Sequence, residues 1–257
     1  MKVALVSFNA EWENPEANQE RLRQLWGKQI AVSSPDWVVL PEMWNTGFTM
    51  KSAEAAEPLD GPSMDTVQEL ARQSQSNVIA GMALQKPGSP KPVNAAVVVN
   101  SLGVVAGVYE KMHPFTYSGE DQAYRAGERP LPLNVDGVRL ATFVCYDLRF
   151  PELFRKVAPQ VEMIVVIANW PHKRIEHWFA LLRARAIENQ CYVIGVNRTG
   201  VDGNNLSYPV SSQVIDPMGT VVEVERISAE VSLAEVELER VRETRERLPF
   251  LRDMKWV

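Results

Sequence analysis

Three residues stand where reactive groups are well placed: Glu42 after "WVVLP", Lys111 after "GVVAGVYE" and Cys145 after "LATFV". Each follows a strongly apolar run that reads as a strand. A buried strand fixes the backbone while its end opens on a pocket, so catalytic groups favour such positions. A carboxylate, an ammonium and a thiol brought together can act as proton acceptor, charge stabiliser and nucleophile. Each residue also has a plainer reading. A free cysteine is often a small buried hydrophobe. A glutamate after proline is usually a turn residue, and a lysine is usually solvated.

The elements that must position them follow from apolar periodicity. Strands are expected at "VALVSF", "DWVVL", "NVIAGMAL", "VNAAVVVN", "VVAGVYE", "GVRLATFVC", "MIVVIAN" and "CYVIGVN". The stretch "SLG" reads as a hairpin turn, and "SQVIDPMGTVVEVE" as a hairpin around Asp216-Pro217-Met218-Gly219. Asn14-Pro15 opens a helix as N-cap and first helical residue, with Leu22, Leu25, Trp26 and Ile30 on its buried face. Further helices are expected at "DGPSMDTVQELARQSQ", "PELFRKVA" and "RIEHWFALLRARAIENQ". The last has Ile175, Trp178, Phe179, Leu182, Ala186 and Ile187 on one face. The chain ends in a strand, then a charged helix in "LAEVELERVRETRERL" and an irregular tail. Alternating strands and helices interrupted by hairpins imply an α/β arrangement of mixed sheets covered by helices, not one parallel sheet.

Composition narrows the function classes. The 257 residues are 46% hydrophobic and 23% charged with a net charge of -5, a globular balance with no basic stripe for nucleic acid. The N-terminal apolar run is too short for a signal peptide, and no window reaches the length of a membrane span. Two cysteines make no disulfide framework, which implies a reduced, cytoplasmic protein. The three histidines, His113, His172 and His177, lack metal-ligand spacing. No glycine-rich phosphate or dinucleotide signature follows a strand. No metal and no cofactor is therefore expected.

Four segments, "VVLPEMWNTGF", "YEKMHPF", "FVCYDLRFPE" and "IANWP", resemble the signatures of the nitrilase, or carbon–nitrogen hydrolase, superfamily in order and context. The similarity runs from residue 1 to about residue 250. It implies one carbon–nitrogen hydrolase domain over residues 1–257, folded as a four-layer α-β-β-α sandwich. It also implies a homodimer that pairs through the helix after Cys145 and the helix in "HWFALLRARAIENQ".

The resemblance gives the three strand ends their roles. Cys145 is the nucleophile of amide hydrolysis through a thioester. Glu42 is the base that takes the thiol proton and later activates water. Lys111, with the backbone N–H of Tyr146, holds the oxyanion. Lys111 is also expected to favour the thiolate. The stretch "KMHPFTYSGEDQAYRAG" resembles the family segment in which a second glutamate precedes a glycine, which makes Glu120 the residue that orients Lys111 and the substrate amide. Trp170 and Pro171 shape the pocket wall, where the family places substrate contacts. Arg174 is a candidate partner for a substrate carboxylate, or a solvated first-turn residue. Asp147 and Arg149 are expected to form a structural turn, and His113 to hold a supporting hydrogen bond. Cys191 reads as core. Arg185, Glu188 and Asn189 are expected to brace the site or the dimer.

Within the family, "LPEMWNTGF", "CYDLRFPE", "ANWP", "ARAIENQCYV" and the closing "RERLPFLRD" are most similar to the omega-amidase branch. That branch cleaves the terminal amide of 2-oxoglutaramate and 2-oxosuccinamate to the oxo-dicarboxylate and ammonia. Pro114 departs from it, standing where an aliphatic residue is usual, and can reshape the loop that carries Glu120. The competing readings are another carbon–nitrogen hydrolase, such as an N-carbamoyl amino-acid amidohydrolase, an aliphatic amidase or a nitrilase, and a catalytically silent interaction protein on the same fold. The presence of Glu42, Lys111 and Cys145 together argues against the silent protein. The expected partner is a small amide, with no nucleic acid and no membrane.

Overall fold

The strands of the computed structural model, which describes residues 1–255, fall into two mixed sheets and one separate antiparallel pair. In the first half of the chain lie β1 (Lys2–Val6), β2 (Trp37–Val39), β3 (Asn77–Leu84), β4 (Val93–Val99) and β5 (Val105–Glu110). These follow or precede helices α1 (Pro15–Leu25), α2 (Ser52–Ala55) and α3 (Pro62–Ser74). Next come α4 (Glu120–Ala123), β6 (Pro132–Val135), β7 (Val138–Val144), α5 (Pro151–Val157), β8 (Met163–Ala168), α6 (Ile175–Asn189) and β9 (Tyr192–Asn197). The last part holds β10 (Gly200–Val201), β11 (Ser207–Tyr208), β12 (Gln213–Ile215), β13 (Val224–Arg226), β14 (Val231–Glu235) and α7 (Glu239–Arg247).

One sheet has the order β13-β14-β1-β2-β3-β4-β5, parallel only across β1-β2-β3. The other has the order β12-β9-β8-β7-β6, parallel across β7-β8-β9. Successive side chains of a strand point to opposite faces, and both faces of these strands are apolar. Val3, Leu5, Val39 and Ile79 turn toward Leu140, Val165 and Ile194 of the other sheet. Their neighbours Ala4, Val6, Val38 and Val78 pack under Leu22 of α1 and Met64 and Val67 of α3. Helices α5 and α6 cover the far face of the second sheet with Phe154, Trp178 and Leu182. The result is the four-layer α-β-β-α sandwich.

Local chemistry sets the element ends. Asn14 caps α1 by accepting the N–H of Ala17, and Pro15 starts the helix. The helix reaches Ile30 as expected, but through one widened turn in which Ala31 N–H donates to the carbonyl of Trp26. Three segments differ from the sequence pattern. Residues 233–235 belong to β14, because pairing with β1 buries Leu233 and Ala234 on opposite sheet faces; the charged helix starts only at Glu239. The turn at Asp216–Gly219 forms, but its second arm makes one bridge, Ile215 to Val221, and then crosses to the other sheet as β13. On α6, Trp178, Leu182 and Ala186 are buried while Ile187 is half exposed.

Gly81 of β3 is where the scaffold meets the site. A Cβ there would lie 2.5 Å from Glu42 Cα and 2.7 Å from the carbonyl oxygen of Pro41. Only the missing side chain lets the segment after β2 lie flat on β3, where Trp44 N–H donates to the Gly81 carbonyl. Gly81→Ala is therefore expected to lower stability by about 1–3 kcal/mol and to displace Glu42. Urea unfolding together with turnover per folded molecule measures both. A variant as stable and as active as the parent contradicts this packing.

Candidate active site

Glu42, Lys111 and Glu120 meet in the interior, each 1% exposed or less. Lys111 Nζ donates to Glu42 Oε1 at 3.0 Å and to Glu120 at 3.0 Å (Oε1) and 2.8 Å (Oε2). The two glutamates are tied to the frame by other donors. Glu42 Oε1 accepts from Asn94 Nδ2 at 2.7 Å, and Oε2 from the backbone N–H of Asn169 at 2.8 Å. Glu120 accepts from Asn94 Nδ2 at 2.8 Å and from the backbone N–H of Phe115 at 2.6 Å.

Each side chain reaches this point for a local reason. Glu42 follows β2 and is clamped by Asn169, whose amide also donates to the Glu42 carbonyl at 2.6 Å. Lys111 follows β5, where its N–H donates to the Asn94 carbonyl and its own carbonyl accepts from Gly127. A Cβ on Gly127 would lie 2.2 Å from the Glu110 carbonyl oxygen, so only glycine lets that strap close over Lys111. Glu120 opens α4. Cys145 directly follows β7 with φ of 46°, a left-handed conformation that costs a non-glycine residue energy and is typical of constrained functional positions. The bend carries its Sγ to 3.9 Å from the Asn169 carbonyl oxygen, beside the buried cluster.

The turn after Cys145 is fixed from beneath. Buried Asp147 accepts from Val144 N–H at 3.1 Å, from Tyr109 OH at 2.8 Å and from the backbone N–H of His113 at 2.9 Å. His113 Nδ1 also lies 2.9 Å from Asp147, and its ring stacks on Phe150 at 3.7 Å. One carboxylate thus joins the turn that carries Cys145 to the segment that follows Lys111. Arg185 braces the same turn by donating to the Leu148 carbonyl at 2.7 Å.

The electrostatics follow from burial and like charge. Burial is the largest influence on Lys111 and opposes its charge, but Glu120 and Glu42 outweigh it and hold the ammonium above the ordinary lysine range. Burial raises Glu120, with Lys111 opposing and Glu42 adding to the rise. Burial and Glu42 push the Cys145 thiol well above its usual value, and Lys111 offsets them only in part. At rest these influences favour the thiol over the thiolate. Sequence reasoning expected Lys111 to favour the thiolate, and its charge does pull that way, but burial, with the two carboxylates, outweighs it. Buried Cys191 is pushed up to about 12 by burial and lies in the core.

Cys145 opens on a cavity of about 780 Å³. Tyr146, Asn169, Trp170, Pro171 and Arg174 also line it. Glu42, Lys111 and Glu120 lie beneath the lining. Trp170 Nε1 donates to the Arg174 carbonyl at 2.8 Å, fixing the loop that brings Arg174 to the cavity, and the Arg174 guanidinium lies 5.5 Å from the Phe115 ring centre. Arg149, expected in a structural turn, also faces the cavity, with its guanidinium 4.9 Å from the Trp170 ring. Sequence reasoning passed over Asn94 and Asn169. Each is a polar residue at the edge of an apolar strand run, and that was the available signal. Among the described residues, no three His, Cys, Asp or Glu side chains converge as a metal site requires, and no helix is long and apolar enough to cross a membrane.

The family model for carbon–nitrogen hydrolase matches residues 2–246. The chain belongs to the carbon–nitrogen hydrolase family. Relatives of this carbon–nitrogen hydrolase include the omega-amidase YafV of Escherichia coli, 36% identical over 260 residues that cover 98% of this chain and 96% of that one. Another, the "hydrolase in agr operon" of Staphylococcus aureus, is 34% identical over 260 residues, covering 99% of this chain and 98% of its own. A solved superfamily member from Xanthomonas campestris, with an arsenic adduct in its active site, superposes with a TM-score of 0.92 at 31% identity, covering 100% of this chain and 98% of its own. This carbon–nitrogen hydrolase is an amide-cleaving enzyme of the nitrilase superfamily.

A raised thiol has a measurable consequence, because only the thiolate alkylates rapidly. Labelling of Cys145 by iodoacetamide is expected to rise about tenfold per pH unit from pH 7 to 9 with no plateau, as a thiol raised well above its ordinary pKa requires. Cys191 should stay unlabelled until the protein unfolds. A pH-independent rate below pH 7 would reveal a resting thiolate and contradict the site as described.

Proposed function

We propose that this chain is an omega-amidase that hydrolyses the terminal amide of a short 2-oxo acid, such as 2-oxoglutaramate or 2-oxosuccinamate. Cys145 is the nucleophile. As its sulfur attacks the amide carbonyl, Glu42 takes the thiol proton and the carbonyl electrons move onto oxygen. Lys111 and the backbone N–H of Tyr146 hold that oxyanion, an interaction whose loss typically costs about 100- to 1,000-fold in rate. The C–N bond then breaks, the proton on Glu42 passes to the leaving nitrogen, and ammonia departs. Water attacks the thioester, again giving its proton to Glu42. The C–S bond breaks, and the proton returns to sulfur with release of the acid. Glu120 keeps Lys111 charged and aimed.

The observation that carries this reading is one thiol above the buried acid–base cluster and an excess of cations in the same cavity. Among the described lining residues, Lys51, Arg149, Lys173 and Arg174 stand against Glu13 and Asp202. Glu13 is 2.6 Å from Lys51, and Asp202 accepts from Tyr208 OH at 2.7 Å. Arg149, Lys173 and Arg174 remain for an anionic substrate. A bidentate guanidinium–carboxylate contact fits the acid end of a 2-oxo acid amide. Similarity to the omega-amidase YafV supports the same choice. An N-carbamoyl amino acid also carries a carboxylate, so turnover has to separate the two.

Ammonia release is measured from 2-oxoglutaramate, glutamine, asparagine and an N-carbamoyl amino acid. The oxo-amide should give the highest kcat/KM, and Arg174→Ala should raise its KM about tenfold with a smaller effect on kcat, the pattern of lost uniform binding. Preference for another amide overturns the substrate assignment. An unchanged KM in the variant removes Arg174 from recognition.

A further inference from the structure

Asn94 takes part in the site in a way the catalytic steps do not use. It lies on β4, 1% exposed, outside the cavity lining. Its Nδ2 donates to Glu42 Oε1 at 2.7 Å and to Glu120 Oε1 at 2.8 Å. The same two oxygens accept from Lys111 Nζ, each at 3.0 Å. The four atoms close a ring in which two nitrogens alternate with two carboxylate oxygens. The Asn94 backbone joins in, because its carbonyl accepts the N–H of Lys111. Both hydrogens of the amide nitrogen are thus committed to acids. The amide oxygen, Oδ1, is buried without a partner. Turning the amide over to satisfy Oδ1 would aim an acceptor at two carboxylates.

The ring answers a charge problem. Two carboxylates on one ammonium leave a negative excess in a dry interior, where one of the pair tends to keep a proton. A second cation would neutralise that excess but would also weaken the base. An amide supplies N–H donors with no charge. The titratable groups facing this point are Lys111 after β5, Glu120 on α4, Cys145 after β7 and Tyr124, whose phenol is held protonated by burial and the nearby carboxylates.

We propose that Asn94 is a positioning residue for the hydrolysis: by donating to Glu42 and Glu120 at once it keeps both carboxylates ionised around one lysine, so that Glu42 is free to accept the proton of Cys145. The inference rests on Glu42 acting as the base. Asn94 touches no substrate, so its removal acts on the base and not on binding.

The test compares the parent with Asn94→Leu, a near-isostere without donors, and Asn94→Ser, which keeps one. The substrate is whichever amide the parent turns over fastest, so an error in the substrate assignment leaves the test intact. Losing donors to the ionised form raises a carboxyl's pKa, so the acid limb of kcat/KM should move up by about one pH unit in Asn94→Leu and by less in Asn94→Ser. In Asn94→Leu kcat at neutral pH should fall about tenfold or more while KM stays within about threefold. Carboxyl ¹³C NMR of glutamate-labelled protein gives a reading that needs no turnover: the variant should show a Glu signal, lost in Glu42→Gln or Glu120→Gln, that titrates at higher pH than in the parent. If Asn94→Leu does not fold, the same comparisons are made on Asn94→Ser. An unmoved acid limb and carboxyl titration, with lower activity explained by a smaller folded fraction, makes Asn94 purely structural and overturns the proposal. Unchanged activity and profile, or a rise in KM alone, overturns it as well.

Discussion

The structure depends on Lys111 being charged where water cannot reach it. An isolated ammonium in such a place would lose its proton, and two isolated carboxylates would gain one. Together they compensate one another: Lys111 lies within 3.0 Å of both Glu42 and Glu120, and the remaining lone pairs are met by Asn94 and the backbone N–H groups of Asn169 and Phe115. Replacing such a cluster by apolar side chains often leaves a protein no less stable, so its retention points to chemistry more than to stability.

The two sheets make this arrangement rigid. The carboxylate of Glu42 leaves the end of β2, Lys111 the end of β5 and Cys145 the end of β7, so the groups are supplied from both central layers. Shared hydrogen bonds fix their separation. Asn169, at the end of β8, clamps Glu42, and its carbonyl oxygen faces the sulfur. Asp147 binds the Cys145 turn to His113, next to Lys111. Core packing leaves little freedom at these strand ends, and tight geometry is what proton transfer and oxyanion stabilisation need. The loops that line the cavity supply what is more variable, namely Arg149, Lys173 and Arg174.

Much of this could be read in the sequence, because apolar runs that end in a single reactive residue are local patterns. The strands before Glu42, Lys111 and Cys145 and the cap at Asn14 are of that kind. The hairpin at Asp216 and the start of the last helix were harder. There the choice between pairing and helix is made by β1 and β14, far away in the chain. Asn94 carried too little signal by itself, since a polar residue in a strand acquires meaning only from what lies across from it. The sign of the thiol's shift was also out of reach. It depends on burial, with two carboxylates, outweighing one lysine, and so on packing and distances that spacing does not encode.

The central claim is that Glu42, hydrogen-bonded to the buried lysine, takes the proton of Cys145. Its most direct test is the steady-state rate of Glu42→Gln with saturating amide, measured on folded protein. Glutamine keeps the shape and can still accept from Lys111 and Asn94, but it cannot take a proton. The account predicts a fall in kcat of about 100- to 10,000-fold, the range for loss of a general base. A rate within tenfold of the parent would contradict it and move the proton to another acceptor.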